Sequence, residues 1–338
     1  MNAHDTRALP RNGLPLTALG LGCSQLGGLY TAMADAEADA LMDAAWAAGL
    51  RYFDSAPYYG YTLSERRVGR SLAARPRDAF TLSTKVGRLM RPDASVRPGD
   101  DGWAAPLPFR PVFDYSYDGI LRSYEDSRQR LGLAKIDVLY VHDIGRMTHG
   151  ERHAQHWDSL TRGGGFRALE ALREAGEIGA FGLGVNEWEV AADALDEAAL
   201  DVILQAGRYT LLEQTALAPL LDRCLRAGTG LVVGGVFNSG LLTGNGKFNY
   251  ADAPADVIDK AARLAAVCAR FAVPLPAAAL QFPFAHPAVV SCLVGARSVA
   301  QLQQNIAWLE HEIPGALWDA LRHEALIDEA APVPGSAR

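Results

Sequence analysis

Along the chain, short and nearly unbroken apolar runs alternate with longer stretches whose apolar residues recur every three or four positions. These are the periods of buried strands and of amphipathic helices. Residues 1–15 show neither period and read as a polar lead-in, after which Leu16 to Gly22 forms a short strand entering a glycine-rich turn. Asp35 is placed to cap a helix running to about Ala48, with Leu41, Met42, Ala45 and Trp46 on its apolar side and Gly49 as its stop. The next strand runs through Phe53 into Asp54, and a Pro/Gly-punctuated turn from Ser55 to Gly60 follows it. A helix then starts near Ser64 and Arg67 and ends by Pro76, and Phe80 to Thr84 is a strand ending in Lys85.

The alternation continues. A helix over 116–131 leads to the strand Ile136 to Val141 and His142, and one over 165–175 leads to Phe181 to Val185 and Asn186. A helix from Trp188 to about Leu195 precedes Val202 to Leu204 and Gln205, and Leu217 to Arg226 precedes Leu231 to Val233, which ends in Gly234 and Gly235. A helical region from 256 to about 285, interrupted by Pro274 and Pro276, precedes Val289 to Val294, and Ser298 caps a helix through Trp308. Eight strand-then-helix units with strands apolar throughout imply parallel strands buried on both faces. The predicted fold is a single (β/α)8 TIM barrel over residues 1–338 with long strand-to-helix loops at its C-terminal face, the lead-in at 1–15 and the tail at 327–338 being peripheral. Gly20, Gly22 and Gly27 are too widely spaced for G-x-G-x-x-G, so no dinucleotide-binding open sheet is expected.

Composition narrows the function. With 49% hydrophobic and 21% charged residues the chain reads as a soluble globular protein, and no run of eighteen apolar residues suggests a membrane span. A net charge of −7 opposes nucleic acid or an anionic membrane as partner, because a phosphate backbone demands a basic face. No signal sequence is evident at Met1 to Pro10, and a cytoplasmic location is expected. Cys23, Cys224, Cys268 and Cys292 have no metal-ligand or redox spacing and read as reduced core thiols.

In a barrel of this kind chemistry sits at the C-terminal strand ends, where the sequence puts Asp54, Lys85, His142, Asn186 and Gln205. Tyr59, in the turn after Asp54, is a candidate acid/base. A phenol ionises near pH 10 unless a cation stabilises the phenolate, and a carboxylate must hold that cation in place. Lys85 and Asp54 supply such a pair, and His142 is placed to orient a substrate oxygen or relay its proton. No metal is required by this set.

Phe53-Asp54-Ser55-Ala56-Pro57-Tyr58-Tyr59-Gly60, with Lys85 and His142 in order after it, resembles the aldo-keto reductase superfamily from Leu16 to about Asn305. The resemblance implies a catalytic tetrad of Asp54, Tyr59, Lys85 and His142, and a nicotinamide carboxamide held by Asn186 and Gln205. It further implies that Gly240 to Gly244, with Gly240 and Leu242, and the stretch Gly295 to Asn305, with Gly295, Arg297, Gln301 and Asn305, line the nucleotide. Many members place a tyrosine where Gly234 stands here, leaving Tyr209 or another aromatic to stack on the nicotinamide. Members preferring NADPH often carry cations near Gly295 and Gln301, so a lone Arg297 favours NAD as cofactor, with NADP possible. Tyr140-Val141-His142-Asp143, Gly207 to Glu213 and Val236 to Leu242 are similar to the branch of D-threo-aldose 1-dehydrogenases, which includes L-fucose and L-galactose dehydrogenases, and of pyridoxal 4-dehydrogenase.

The activity this implies is oxidation of the C1 hemiacetal hydroxyl of a small sugar such as L-fucose, L-galactose or D-arabinose to its lactone, with Tyr59 as acid/base. Pyridoxal, also a cyclic hemiacetal, is an alternative substrate; a general NADPH-dependent aldehyde reductase and a nucleotide-binding regulatory subunit are alternative roles. Substrate choice is expected in the loops. Residues 86–115, with Arg88, Arg91, Trp103 and Phe109, form a long connection that reads as a lid or a surface insertion, and 143–164 reads as a solvated loop carrying His149, His153 and His156. Trp103 or Trp157 is expected to stack on the substrate, and Asp143 or Asn238 to bind its hydroxyls. Oligomeric state is not legible.

Overall fold

A computed structural model describes residues 1–249 and 251–335. Eight parallel strands close into a barrel: β1 (Leu19–Gly22), β2 (Tyr52–Asp54), β3 (Thr81–Val86), β4 (Val138–His142), β5 (Ala180–Val185), β6 (Val202–Ala206), β7 (Gly230–Gly234) and β8 (Val289–Val294). Each pairs with the next in sequence, and β8 returns to β1 through Cys292, Leu293 and Val294 opposite Leu19, Gly20 and Leu21. Every residue of β2, β3, β4, β5, β7 and β8 is buried, which is why these segments read as continuous apolar runs. Helices cover the outer face between strands, and all four cysteines are buried and unpaired.

The lead-in has more structure than its sequence suggested. Thr6–Ala8 pairs antiparallel with Pro15–Thr17, and Leu9 and Leu16 enter a cluster with Tyr52, Val138, Tyr140, Val202, Val232 and Val290. Three-residue strands are too short to show a period, so the hairpin is invisible to periodicity. In the tail, Ile327, Ala331 and Val333 are buried, and a further helix, Gly315–His323, precedes them; residues 336–338 of the predicted tail lie outside the described residues.

Other boundaries also differ. Ala34, not Asp35, is the N-cap of helix Asp35–Ala47; Glu37 accepts from the Ala34 N–H at 2.7 Å, and Asp35 pairs with Arg67 and Arg70. The helix expected from Leu217 begins as a wide five-residue turn, and its regular α-helical part is only Asp222–Ala227. The connection 86–115 folds into an antiparallel hairpin, Arg88–Pro92 against Phe109–Phe113. The expected solvated loop at 143–164 is instead helical at Arg146–His149 and His153–Thr161, with His149 buried beneath Phe113. Ser298 does cap its helix, Val299–Glu310, accepting from the Gln301 N–H.

Candidate active site

Strand ends deliver the predicted groups to one rim. Asp54 and His142 are the last residues of β2 and β4, Lys85 and Gln205 the penultimate residues of β3 and β6, and Asn186 directly follows β5. Tyr59 is carried by the turn after β2. That turn is held by a close backbone approach: a Cβ on Gly27 would lie 2.6 Å from the carbonyl carbon of Tyr59, and one on Gly60, at φ +63°, would lie 2.3 Å from Gly27 O. The sequence showed Gly27 only as a stray member of a broken fingerprint; its use is to let the Tyr59 turn settle against the β1 loop.

Beneath Tyr59 lies a buried ion pair. Lys85 Nζ donates to Asp54 Oδ2 at 2.7 Å and to the Ser55 carbonyl at 2.9 Å, and sits 4.7 Å from the centroid of the Tyr59 ring. Ser83 Oγ donates to the other carboxylate oxygen at 2.7 Å and lies 3.2 Å from the Tyr52 hydroxyl, which in turn is 2.9 Å from that of Tyr140. This buried polar chain across three adjacent strands was not found from sequence, because Ser83, Tyr52 and Tyr140 sit inside segments that read as plain strands. Its effect is to satisfy the buried Asp54 fully, leaving neither oxygen unpaired.

The electrostatics follow from burial and these partners. Burial alone would lower the Lys85 ammonium, but the facing Asp54 and Tyr59 outweigh it, and the amine is held above its ordinary value. Tyr59 moves the other way from the sequence expectation: burial raises its phenol by more than Lys85 lowers it. His142 is driven well below its usual range by burial, then by the charges of Arg88 and Lys85, and is a neutral imidazole. Its ring meets Tyr59 edge-on, centroids 6.0 Å apart at 86°. A phenol over an ammonium, beside a neutral imidazole, is competent to exchange a proton with an oxygen placed between them.

The remaining predicted residues divide into three groups. Gln205 is fully buried; its Nε2 donates to Val185 O at 3.3 Å while its Oε1 has no partner. Asn186 Nδ2 donates to Asp143 Oδ1 at 3.2 Å. Gly240, at φ +92°, opens a tight turn over Leu241–Thr243, and Leu242 is buried in the main core.

Gly295, Arg297 and Gln301 form an exposed strip at the start of helix Val299–Glu310. Arg297 Nε donates to Gln25 Oε1 at 3.2 Å, and its backbone N–H to Gln301 Oε1 at 2.8 Å. Asn305 is buried and donates to Gly295 O.

Trp103 is buried edge-on against Tyr58 at 5.6 Å and tilted over Tyr59 at 5.9 Å, so it walls the site with its Nε1 unpartnered. Asp143 gives its carboxylate to Arg88 and Asn186. Asn238 is buried at φ +49° with its Oδ1 unpartnered. Gly234 does end β7, but Tyr209 is far from offering the missing ring: it is fully buried against Phe282 and His286 at 5.5 and 5.6 Å.

Comparison with known proteins bears on the fold and the family. Residues 18–323 match the Aldo/keto reductase family. The chain is 53% identical over 340 residues to pyridoxal 4-dehydrogenase of Microbacterium luteolum, covering 97% of this chain and 99% of that one. It is 43% identical over 324 residues to D-threo-aldose 1-dehydrogenase of a Pseudomonas species, covering 93% and 96%. Among solved structures, the holo form of an aldo-keto reductase from Bacillus halodurans superposes with a TM-score of 0.71 at 25% identity over 98% of both chains. A glycerol dehydrogenase from Gluconobacter oxydans shares the fold, with a TM-score of 0.73 at 21% identity over 99% of both. The chain belongs to the aldo/keto reductase family and is an NAD(P)-dependent oxidoreductase.

Proposed function

We propose that the protein oxidises the hydroxyl-bearing carbon of a cyclic hemiacetal to a lactone, with NAD as the acceptor. The observation that carries this is the edge-on pair of Tyr59 and His142 above the Lys85–Asp54 ion pair. In the oxidative direction Tyr59 takes the proton from the hemiacetal hydroxyl, and Lys85 stabilises the phenolate that must be present for it to do so. Asp54 holds Lys85, and neutral His142 donates a ring N–H to the same hydroxyl oxygen. A bound nicotinamide, which Gln205 and Asn186 would hold, would supply the acceptor for the hydride that leaves the carbon.

The chain's own groups fit that cofactor. The unpartnered Gln205 Oε1 suits an amide N–H donor such as a carboxamide, with Asn186 beside it. Gly240 and Leu242 would line the nucleotide, with Gly295, Arg297, Gln301 and Asn305 along the strip beyond. NAD is favoured over NADP because the strip offers Arg297 as its single cation, and Gln25 already engages it.

Two substrates follow. Pyridoxal comes first, from the 53% relative and from the aromatic wall of Tyr58, Tyr59 and Trp103, which suits a flat ring. An aldose such as L-fucose, L-galactose or D-arabinose is second, from the 43% relative, with Asn238 and Trp103 offering polar atoms that have no partner.

The test is NADH formation by purified protein with NAD or NADP against pyridoxal and these sugars, with Tyr59→Phe as control. Turnover of either hemiacetal with NAD supports the reading. Failure on all hemiacetals alongside reduction of simple aldehydes with NADPH overturns it.

A further inference from the structure

Asp143 follows His142 directly in the chain and adopts a left-handed backbone, φ +43°, with its N–H bonded to Gly184 O at 2.9 Å. A non-glycine residue in this region is strained and persists only where its surroundings hold it. Here the carboxylate touches three elements. Oδ2 accepts from Arg88 Nη2 at 2.6 Å and lies 3.4 Å from His142 Nε2, while Oδ1 accepts from Asn186 Nδ2 at 3.2 Å. Arg88, the first residue of the hairpin strand Arg88–Pro92, is itself buried and packs its guanidinium 4.2 Å from the Tyr58 ring centroid and 5.4 Å from that of Phe113.

We propose that Arg88 and Asp143 are a positioning pair: Asp143 fixes Asn186, and Arg88 supplies the counter-charge to the carboxylate that faces His142 Nε2. This rests on the roles given above to His142 and Asn186. It moves Asp143 from binding substrate hydroxyls to holding Asn186 and balancing charge beside His142.

The physical argument is one of charge balance. A carboxylate this close to an imidazole, left alone, favours the imidazolium, because an opposite charge within about 4–6 Å stabilises the charged form. Arg88 offsets it at the same oxygen. The other groups facing the ring are Lys85, a cation, and the phenols Tyr58 and Tyr59, which burial raises and so keeps uncharged. Because Arg88 engages Asp143 Oδ2 at 2.6 Å, the single N–H of a neutral His142 is left for a substrate oxygen, and the ring adds no third cation beside Lys85 and Arg88. The same carboxylate fixes Asn186, so the hairpin that walls the substrate side is linked through one side chain to the cofactor side.

Two readouts need no substrate: NMR titration of the His142 imidazole, and nucleotide affinity by tryptophan fluorescence. Arg88→Met is expected to move the His142 titration upward towards neutrality, and adding Asp143→Asn to return it downward. Arg88→Lys, which keeps the charge, is expected to leave it near the parent. Asp143→Asn alone is expected to weaken NAD binding about tenfold, since Asn186 loses a charged acceptor. An unmoved His142 in Arg88→Met, or NAD affinity unchanged in Asp143→Asn, would overturn the proposal. If Arg88→Met does not fold, the Asp143→Asn affinity decides alone. Absence of hemiacetal turnover with both readouts as expected would strike the function reading and leave the pair standing.

Discussion

Lys85 Nζ lies 2.7 Å from Asp54 Oδ2 and 4.7 Å from the centroid of the Tyr59 ring, so a single buried ammonium serves a carboxylate and a phenol at once. Both partners of the ion pair are almost completely removed from solvent. Removing one therefore strands the other. Lys85→Met is expected to destabilise the protein by about 3–5 kcal/mol, the usual cost of leaving a buried charge unpaired. Lys85→Met combined with Asp54→Asn should recover much of that stability and none of the turnover. Thermal unfolding with parallel assays checks this; equal instability of the single and double variants would contradict it.

Tyr59 sets the pH dependence of the oxidation. Burial holds its phenol above the ordinary value of 10.0, so the phenolate fraction grows with pH throughout the neutral and mildly alkaline range. The kcat/KM for hemiacetal oxidation is expected to climb with pH and to be still rising at about pH 9. Tyr59→Phe should lower kcat by roughly 10²–10⁴-fold while leaving nucleotide affinity within a small factor. A pH–rate profile flat above neutrality would remove Tyr59 from the role.

Two histidines outside the site make the fold acid-sensitive. Burial, then the charges of His156 and Arg88, holds His149 at about 4, and burial holds His286 at about 4 against a weaker opposing pull from Asp222. Both lie below the ordinary 6.5, so the unfolded chain binds more protons than the folded one between these values. Stability is then fully present above about pH 6.5 and lost as pH falls towards about 4, by on the order of a few kcal/mol in all. Urea midpoints at pH 7 and pH 5 measure it, and a midpoint that did not fall at pH 5 would count against the assignment.

Gly69 lies within helix Leu63–Leu72, where intrinsic propensity favours alanine by about 1 kcal/mol. Packing decides otherwise. A Cβ there would sit 1.9 Å from the backbone carbonyl oxygen of Leu131, at the end of the neighbouring helix Tyr117–Leu131. Gly69→Ala is expected to destabilise by about 1–3 kcal/mol, the range for overpacking, with a matching fall in Tm. Any increase in Tm would show that the two helices separate more easily than their contact implies.

The reach of sequence reasoning shows in particular residues. Asp54, Lys85, His142 and Gln205 were legible because a strand's end is a local property: an apolar run stops, a polar residue follows, and barrel closure brings every such end to one rim. The hairpin at 88–113 was not, since its pairing joins segments separated by a Pro/Gly-rich stretch without a period. Tyr209 illustrates the limit in a different way. It follows a barrel strand and carries the right kind of ring, yet its side chain enters the core against Phe282.

The sequence by itself determined the eightfold alternation, the barrel and the strand-end places of Asp54, Lys85 and His142, consequences of periodicity and of which residue ends each apolar run, while Tyr59 was found in the turn after Asp54 and joined to them by a family resemblance. Tertiary structure alone decided that Ser83, Tyr52 and Tyr140 support Asp54 from below, that burial outweighs Lys85 at Tyr59, and that Asp143 faces Arg88 and Asn186. Those facts depend on side-chain direction, desolvation and contacts between residues distant in sequence. Such quantities acquire values only when the barrel closes.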